Sequence, residues 1–214
     1  MKIYLIRHGE SDAMDKSVRQ TPDSPLGEKG FEQAGYVAKR FRNQEIDVVF
    51  SSTWVRAKQT AAGIAKALGK KLETFEGIHE KEQHPRLYGA GWASIIHNKY
   101  TKETEKNFHN LDWKFRGKGE SLRDVIARAE KFKSHLIDKH KEQNVIAVTH
   151  GIFIRCFICV AVFGKKYDDE SFIELYRTLS FNNTGVSLLE YEEENSRWHI
   201  RFINDHSHLE TPIV

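Results

Sequence analysis

Two arginines and two histidines stand where a protein of alternating strands and helices could turn them on an anion. Arg7 and His8, in Arg7-His8-Gly9-Glu10, directly follow the apolar run Lys2–Ile6. Arg56 comes shortly after Ser51-Ser52, behind the run Asp47–Phe50, and His150-Gly151 follows Asn144–Thr149. Two guanidiniums can clamp a phosphoryl group through paired hydrogen bonds, and a helix amino terminus adds backbone donors. A neutral imidazole beside such a clamp is basic enough to attack phosphorus and still leaves readily afterwards. Catalysis of that kind rests on positioning and on donors matched to charge that builds up in the transition state, together with a proton source for the leaving oxygen. Taken alone, an Arg-His pair after a strand is more often a loop feature, and an arginine early in a helix more often faces water. Their coincidence at three strand ends points to an anion site.

The elements that must position these residues are legible in outline. The three apolar runs are short and β-rich, as expected of strands buried on both faces. In parallel α/β sheets, ligands bind outside the carboxyl ends of the strands. Helical patterns fall between the runs: one from about Glu28 to Arg42, after the turn-rich Thr21–Gly27, and one from about Thr53 to Leu68, closed by Gly69. A third gathers Leu122, Val125, Ile126, Ala129, Phe132, Leu136 and Ile137 on one face and starts at Ser121 and Asp124, the two residues of a capping box. Gly185–Tyr191 and Arg197–Phe202 read as a hairpin at a sheet edge, joined across Glu192–Ser196. The alternation predicts a three-layer α/β/α sandwich around a mainly parallel mixed sheet. The stretch 83–118 breaks the rhythm, being polar and aromatic with Trp92 and Trp113, and is read as a cap inserted into a single domain spanning 1–214.

Composition narrows the partners. The 214 residues carry 33 basic and 30 acidic side chains, a net charge of +3 without a long basic block, which argues against a nucleic-acid partner and fits a local anion site. With 29% charged and 39% hydrophobic residues, neither disorder nor membrane residence is expected. The amino-terminal apolar run is too short for a signal peptide and no segment approaches a membrane span, so a cytoplasmic location is expected. Cys156 and Cys159 have CxxC spacing but lie inside the apolar run 152–160 without a turn or a second ligand pair, and are read as buried thiols. His79, His84, His97 and His109 lie in or beside the cap without the spacing of a metal site, and no metal is expected. His135 and His140 are read as exposed helix positions. Trp92, Trp113 and Phe115 either line a substrate pocket or hold the cap together.

Three blocks taken in order, Arg7-His8-Gly9-Glu10-Ser11, Ser51-Ser52-Thr53-Trp54-Val55-Arg56-Ala57-Lys58-Gln59-Thr60-Ala61 and Thr149-His150-Gly151, resemble the histidine phosphatase superfamily, the phosphoglycerate-mutase-like group. Further matches are Pro25-Leu26-Gly27-Glu28-Lys29-Gly30 followed by Gln33-Ala34, the triplet Gly119-Glu120-Ser121, and Asn183-Thr184-Gly185-Val186. The likeness covers nearly the whole chain except the cap. It implies that His8 takes the phosphoryl group, that Arg7, Arg56 and His150 hold its oxygens, and that a glutamate before the cap protonates the leaving alcohol and then activates water. By position that glutamate is Glu80, with Glu82 as the alternative. Ser11 and Asn183, inside matching segments, are further candidates for the site. The resemblance implies neither a metal nor an organic cofactor for hydrolysis.

Some positions depart from the family pattern. No asparagine occurs in Asp12–Lys16, where many relatives have one near the phosphate, and Lys81–Arg86 lacks the glycine and Trp-Glu-Gly pattern of small phosphatases in the group. Arg86-Leu87-Tyr88-Gly89-Ala90 is faintly similar to a phosphoglycerate mutase segment, but Pro85 stands where that segment has glutamate, and other mutase landmarks are missing. The expected activity is hydrolysis of a small phosphorylated metabolite. The alternatives are mutase-type phosphotransfer and a phosphate-binding protein of low activity.

Overall fold

In the computed structural model, which describes residues 1–164 and 167–209, six strands form one mixed sheet. They are β1 (Lys2–Arg7), β2 (Val48–Ser51), β3 (Leu72–Thr74), β4 (Asn144–Thr149), β5 (Val186–Glu192) and β6 (Arg197–Asp205), in the spatial order β3-β2-β4-β1-β5-β6. The first four run parallel, and β5 and β6 close one edge antiparallel. Among the described residues seven α-helices accompany them: α1 (Asp12–Asp15), α2 (Glu28–Phe41), α3 (Val55–Leu68), α4 (Ile95–Lys106), α5 (Leu122–His140), α6 (Gly151–Phe163) and α7 (Asp169–Thr178).

The predicted three-layer sandwich follows from the two-residue side-chain period of the central strands. Ile3, Leu5, Val145 and Ala147 point into the core shared with α5, α6 and α7, whereas Ile6, Ile146 and Val148 point into the core shared with α2 and α3. Burial on both faces explains why these strands read as unbroken apolar runs. Local signals end the helices as expected. Gly69 adopts φ +62° and closes α3, and Ser121 with Asp124 forms a complete capping box on α5.

The run holding both cysteines is α6, apolar all round because it lies inside the core, and Cys156 and Cys159 are fully buried. Burial pushes the Cys159 thiol up to about 12. His135 and His140 correct the reading from helix position: both are half-buried, with ring centroids 6.0 and 5.2 Å from that of Phe50. The segment 83–118 folds as α4 flanked by the single-turn helices Pro85–Leu87 and Phe115–Gly117, with Leu87, Leu111 and Phe115 buried beneath. Among the described residues no helix is long and apolar enough to cross a membrane.

Candidate active site

The parallel register sets the floor of the site. Arg7 pairs with Thr149, so the two chains leave the sheet side by side, and the His8 N–H donates to the Thr149 carbonyl at 3.0 Å. This brings the His8 and His150 rings to 4.9 Å between centroids. Next to β4 lies β2, whose continuation through Ser52 into α3 delivers Arg56 in the first helical turn.

Arg56 is fully buried and ties the floor together. Its Nε donates to His8 Nε2 at 3.0 Å, Nη1 to the Thr21 carbonyl at 2.8 Å, and Nη2 to His150 Nδ1 at 3.2 Å. A guanidinium only donates, so both imidazole nitrogens facing it must carry lone pairs. The remaining nitrogens agree: His8 Nδ1 donates to the Gly9 carbonyl at 2.6 Å, and His150 Nε2 donates to Ser52 Oγ at 2.7 Å. Burial first, then the charges of Arg56 and Arg7, hold His8 well below the ordinary histidine range. Burial and Arg56 do the same to His150. Both rings are therefore neutral near pH 7, and His8 presents an unprotonated Nε2. Burial brings Arg56 down to about 10, still charged at neutral pH.

Arg7 donates from Nη1 to the Phe181 carbonyl at 2.6 Å, while its Nε is buried with no hydrogen-bond partner. The loop carrying His8 is braced from below. Thr60 Oγ1 donates to the Arg56 carbonyl at 2.8 Å and accepts the Gly9 N–H at 3.0 Å. A Cβ on Gly9 would lie 2.6 Å from the Gly30 carbonyl oxygen, so the loop needs glycine to rest on the start of α2. Gln33 accepts the Glu10 N–H, and Gln59 accepts that of Leu26, both at 2.8 Å. A Cβ on Gly30 would in turn clash with the Glu10 carbonyl, which with the Gln33 contact explains the Gly30 and Gln33 matches.

Glu80 forms the opposite wall. Its Oε1 accepts the Lys81 N–H at 2.9 Å, and its Oε2 accepts the N–H of Ile152, at the start of α6, at 3.2 Å. With Arg7, Arg56, Trp54 and Trp92 it lines a cleft of about 250 Å³. Glu82 is exposed and away from this cleft, its N–H donating to Glu120 Oε2 at 2.9 Å. Ser11 and Asn183 are near the floor without lining the cleft. Ser11 Oγ accepts from Gln20 Nε2 at 2.7 Å, and Asn183 Nδ2 donates to the His8 carbonyl at 2.9 Å, so both hold backbone and loop.

A brace behind Glu80 gives the Gly119-Glu120-Ser121 match its physical content. Arg128 forms a two-pronged pair with Glu120, both contacts at 2.8 Å, and its Nη1 donates to the carbonyls of Gly77 and His79 at 2.6 and 3.0 Å. Gly119 has φ +76°, and a Cβ there would meet the Glu82 carbonyl oxygen at 2.7 Å. The segment bearing Glu80 is thus gripped on both sides.

Sequence reasoning missed Arg19, Gln20 and Gln83, which also line the cleft. Arg19 Nε donates to Gln83 Oε1 at 2.7 Å, Nη1 meets His97 Nδ1 at 3.1 Å, and the guanidinium lies 4.5 Å from the Tyr100 ring centroid. No local motif announces this group, because it forms where the cap packs on the loop after α1. The cap histidines have other partners: His84 Nδ1 accepts the Arg86 N–H, and His79 stacks on Trp54 at 5.9 Å. Among the described residues no group of three potential ligands could hold a metal ion. The three cap aromatics divide, with Trp92 on the cleft, Phe115 in the cap core and Trp113 elsewhere.

A paired-arginine clamp, an imidazole whose unprotonated Nε2 accepts only from Arg56 and a carboxylate on the facing wall can together support in-line transfer of a phosphoryl group once phosphoryl oxygens take over the Arg56 donor. The same arrangement of fold recurs in solved structures. Mycobacterial hydrolase 1 superposes with a TM-score of 0.81 at 21% identity, covering 95% of this chain and 98% of that one. A phosphoserine phosphatase variant from Entamoeba histolytica in complex with phosphoserine gives 0.77 at 22%, covering 97% and 98%. The mycobacterial glucosyl-3-phosphoglycerate phosphatase in complex with VO3 gives 0.79 at 21%, covering 95% and 98%. A Salmonella typhi protein named "Probable phosphoglycerate mutase GpmB" is 28% identical over 228 positions, covering 100% of this chain and 97% of its own. The family model for the histidine phosphatase superfamily (branch 1) matches residues 3–206, and the chain belongs to that superfamily.

Proposed function

We propose that the protein is a phosphomonoester hydrolase working through a phosphohistidine at His8, with Glu80 as the proton donor. The observation that carries this reading is the unprotonated Nε2 of His8, held by Arg56, which lines one cleft together with the Glu80 carboxyl group. Nε2 attacks phosphorus as the P–O bond to the leaving group breaks, and protonated Glu80 gives its proton to the departing oxygen. Glu80, now a carboxylate, takes a proton from water as that water attacks phosphorus. The P–N bond breaks, orthophosphate leaves, and the imidazole is restored with Nδ1 still bonded to Gly9. Arg7, Arg56 and His150 hold the non-bridging oxygens; His150 donates there as the tautomer that carries its proton on Nδ1, with the Ser52 hydroxyl then donating to Nε2. The cleft's modest volume favours a small phosphorylated metabolite.

Hydrolysis of a generic phenyl phosphate, with an acid-labile phosphate trapped on His8 by rapid quench, tests the reading. Turnover equal to that of His8→Ala would sink it. The names of the curated relatives favour a second reading, mutase-type transfer between two hydroxyls through the same phosphohistidine. That reading predicts phosphoglycerate interconversion that needs a bisphosphorylated primer and little net release of orthophosphate.

A further inference from the structure

Outside the cleft, Lys81 is a largely covered cation without a counterion among the described residues. Lys81 is 9% exposed, and among the described residues no carboxylate lies within ion-pair distance of its ammonium. It lines a separate chamber of about 80 Å³, walled by Phe108 and the rings of Tyr100, Trp113 and Tyr176. Asn110 lines it too, with its side-chain oxygen already engaged by the Asp112 N–H at 3.0 Å, which leaves its NH2 group as a donor. Burying a charge is costly unless it is paired. Thr104 and Asn107 line it as well, but their side chains already donate to the Tyr100 and Glu103 carbonyls, each at 2.8 Å, so one cation and few free donors among largely apolar walls suit a monoanion with a short apolar body better than a phosphate dianion.

The chamber is also joined to the chemistry. Ile152 lines both cavities, and Lys81 follows Glu80 directly. The backbone N–H groups of these two residues are the ones that hold the two oxygens of Glu80, at 2.9 Å from Lys81 and 3.2 Å from Ile152. A ligand in the chamber would therefore touch both residues whose N–H groups support that carboxyl group.

We infer that this chamber is a second ligand site for a short carboxylate of roughly three to five carbons, set by its volume, and that its occupancy is felt at Glu80 through Lys81 and Ile152. The carboxylate seats on the Lys81 ammonium, and the alkyl end lies among the rings. The coupling rests on Glu80 being the proton donor. The binding does not.

Butyrate is the probe, with butyramide as its neutral twin, titrated into ¹⁵N-labelled protein whose cleft is filled with vanadate. The tryptophan indole signals separate the sites, since Trp113 lines the chamber while Trp54 and Trp92 line the cleft. Butyrate is expected to shift the Trp113 signal saturably and to leave Trp54 in place. Butyramide with the native protein, and butyrate with Lys81→Met, should bind about tenfold or more weakly, the loss expected of one charge-assisted contact. Lys81→Arg should retain binding. Without vanadate, saturating butyrate should change kcat on phenyl phosphate severalfold with little change in KM. Absence of a saturable shift, equal binding of butyramide, or displacement by vanadate would overturn the site. Binding that leaves kcat untouched overturns the coupling. A protein that binds butyrate but hydrolyses no phosphomonoester fails the functional reading while the site stands.

Discussion

The floor of the cleft and its cap-side wall are built on opposite principles. Polar groups of the floor leave buried strand ends and are held by backbone carbonyls and by one another, with Arg56, His8 and His150 almost wholly out of water. The wall comes from loops and short helical turns, and its acidic member depends on an ion pair between Arg128 of α5 and Glu120 just before that helix, whose side chains are 14% and 15% exposed. The floor fixes a geometry that any phosphoryl group needs, whereas the wall can change with the leaving group. In such folds, chemistry and specificity can therefore vary separately.

Substitutions can break this division, and the floor should give the largest effect. His8→Ala is expected to lower kcat on phenyl phosphate by more than about four orders of magnitude, since loss of a nucleophile alone can cost about 10⁶-fold, with the fold intact by circular dichroism. Arg56→Met should do comparable damage and also lower the melting temperature, since it strands His8 Nε2 and His150 Nδ1 without their donor. At the wall, Glu80→Gln is expected to cost about 10²- to 10⁴-fold in kcat, more for alkyl than for aryl phosphates, because a poor leaving group depends more on the proton. Glu82→Gln should stay near the native rate, and equal losses from both would erase the distinction drawn between them.

The brace comes next in size. Burial works to raise the Glu120 carboxyl, but the Arg128 hydrogen bonds and the Glu82 N–H prevail and hold it below the ordinary glutamate range. A depressed carboxyl stabilises the fold fully above its unfolded pKa, about 4.3, and that contribution is lost as pH falls through the lower folded value. Glu120→Gln should therefore cost about 2 kcal/mol at neutral pH, less than a fully buried pair. In urea melts the difference from the native protein should narrow with acidification. The smallest effect is expected of Trp92→Ala, which should raise KM severalfold for a preferred substrate with little change in kcat on phenyl phosphate, measured by steady-state kinetics.

The floor was legible because buried parallel strands are apolar runs, and the residues just past them are where ligands bind. Elsewhere the signals were weaker for physical reasons. Three-residue β3 is too short to show a period, and α6 is apolar on every side, which leaves nothing for an amphipathic pattern to reveal. Glu80 and Glu82 could not be separated locally, since two residues on an irregular segment carry no facing rule. Their placement depends on Arg128 gripping the carbonyls of Gly77 and His79, far away in sequence. Arg19 and Gln83 meet only through cap packing, and His135 and His140 are covered by Phe50 of β2, with Phe75 also against His135, partners that no helix period announces.

The Nε of Arg7, buried without a partner, has a bearing on turnover. An oxyanion that reaches it satisfies a donor that the free protein leaves unmet, and orthophosphate can do this as well as the ester it came from. The site should thus hold its own product well, so that inhibition by inorganic phosphate, and the pace at which phosphate escapes, join bond-breaking in setting how fast the protein works.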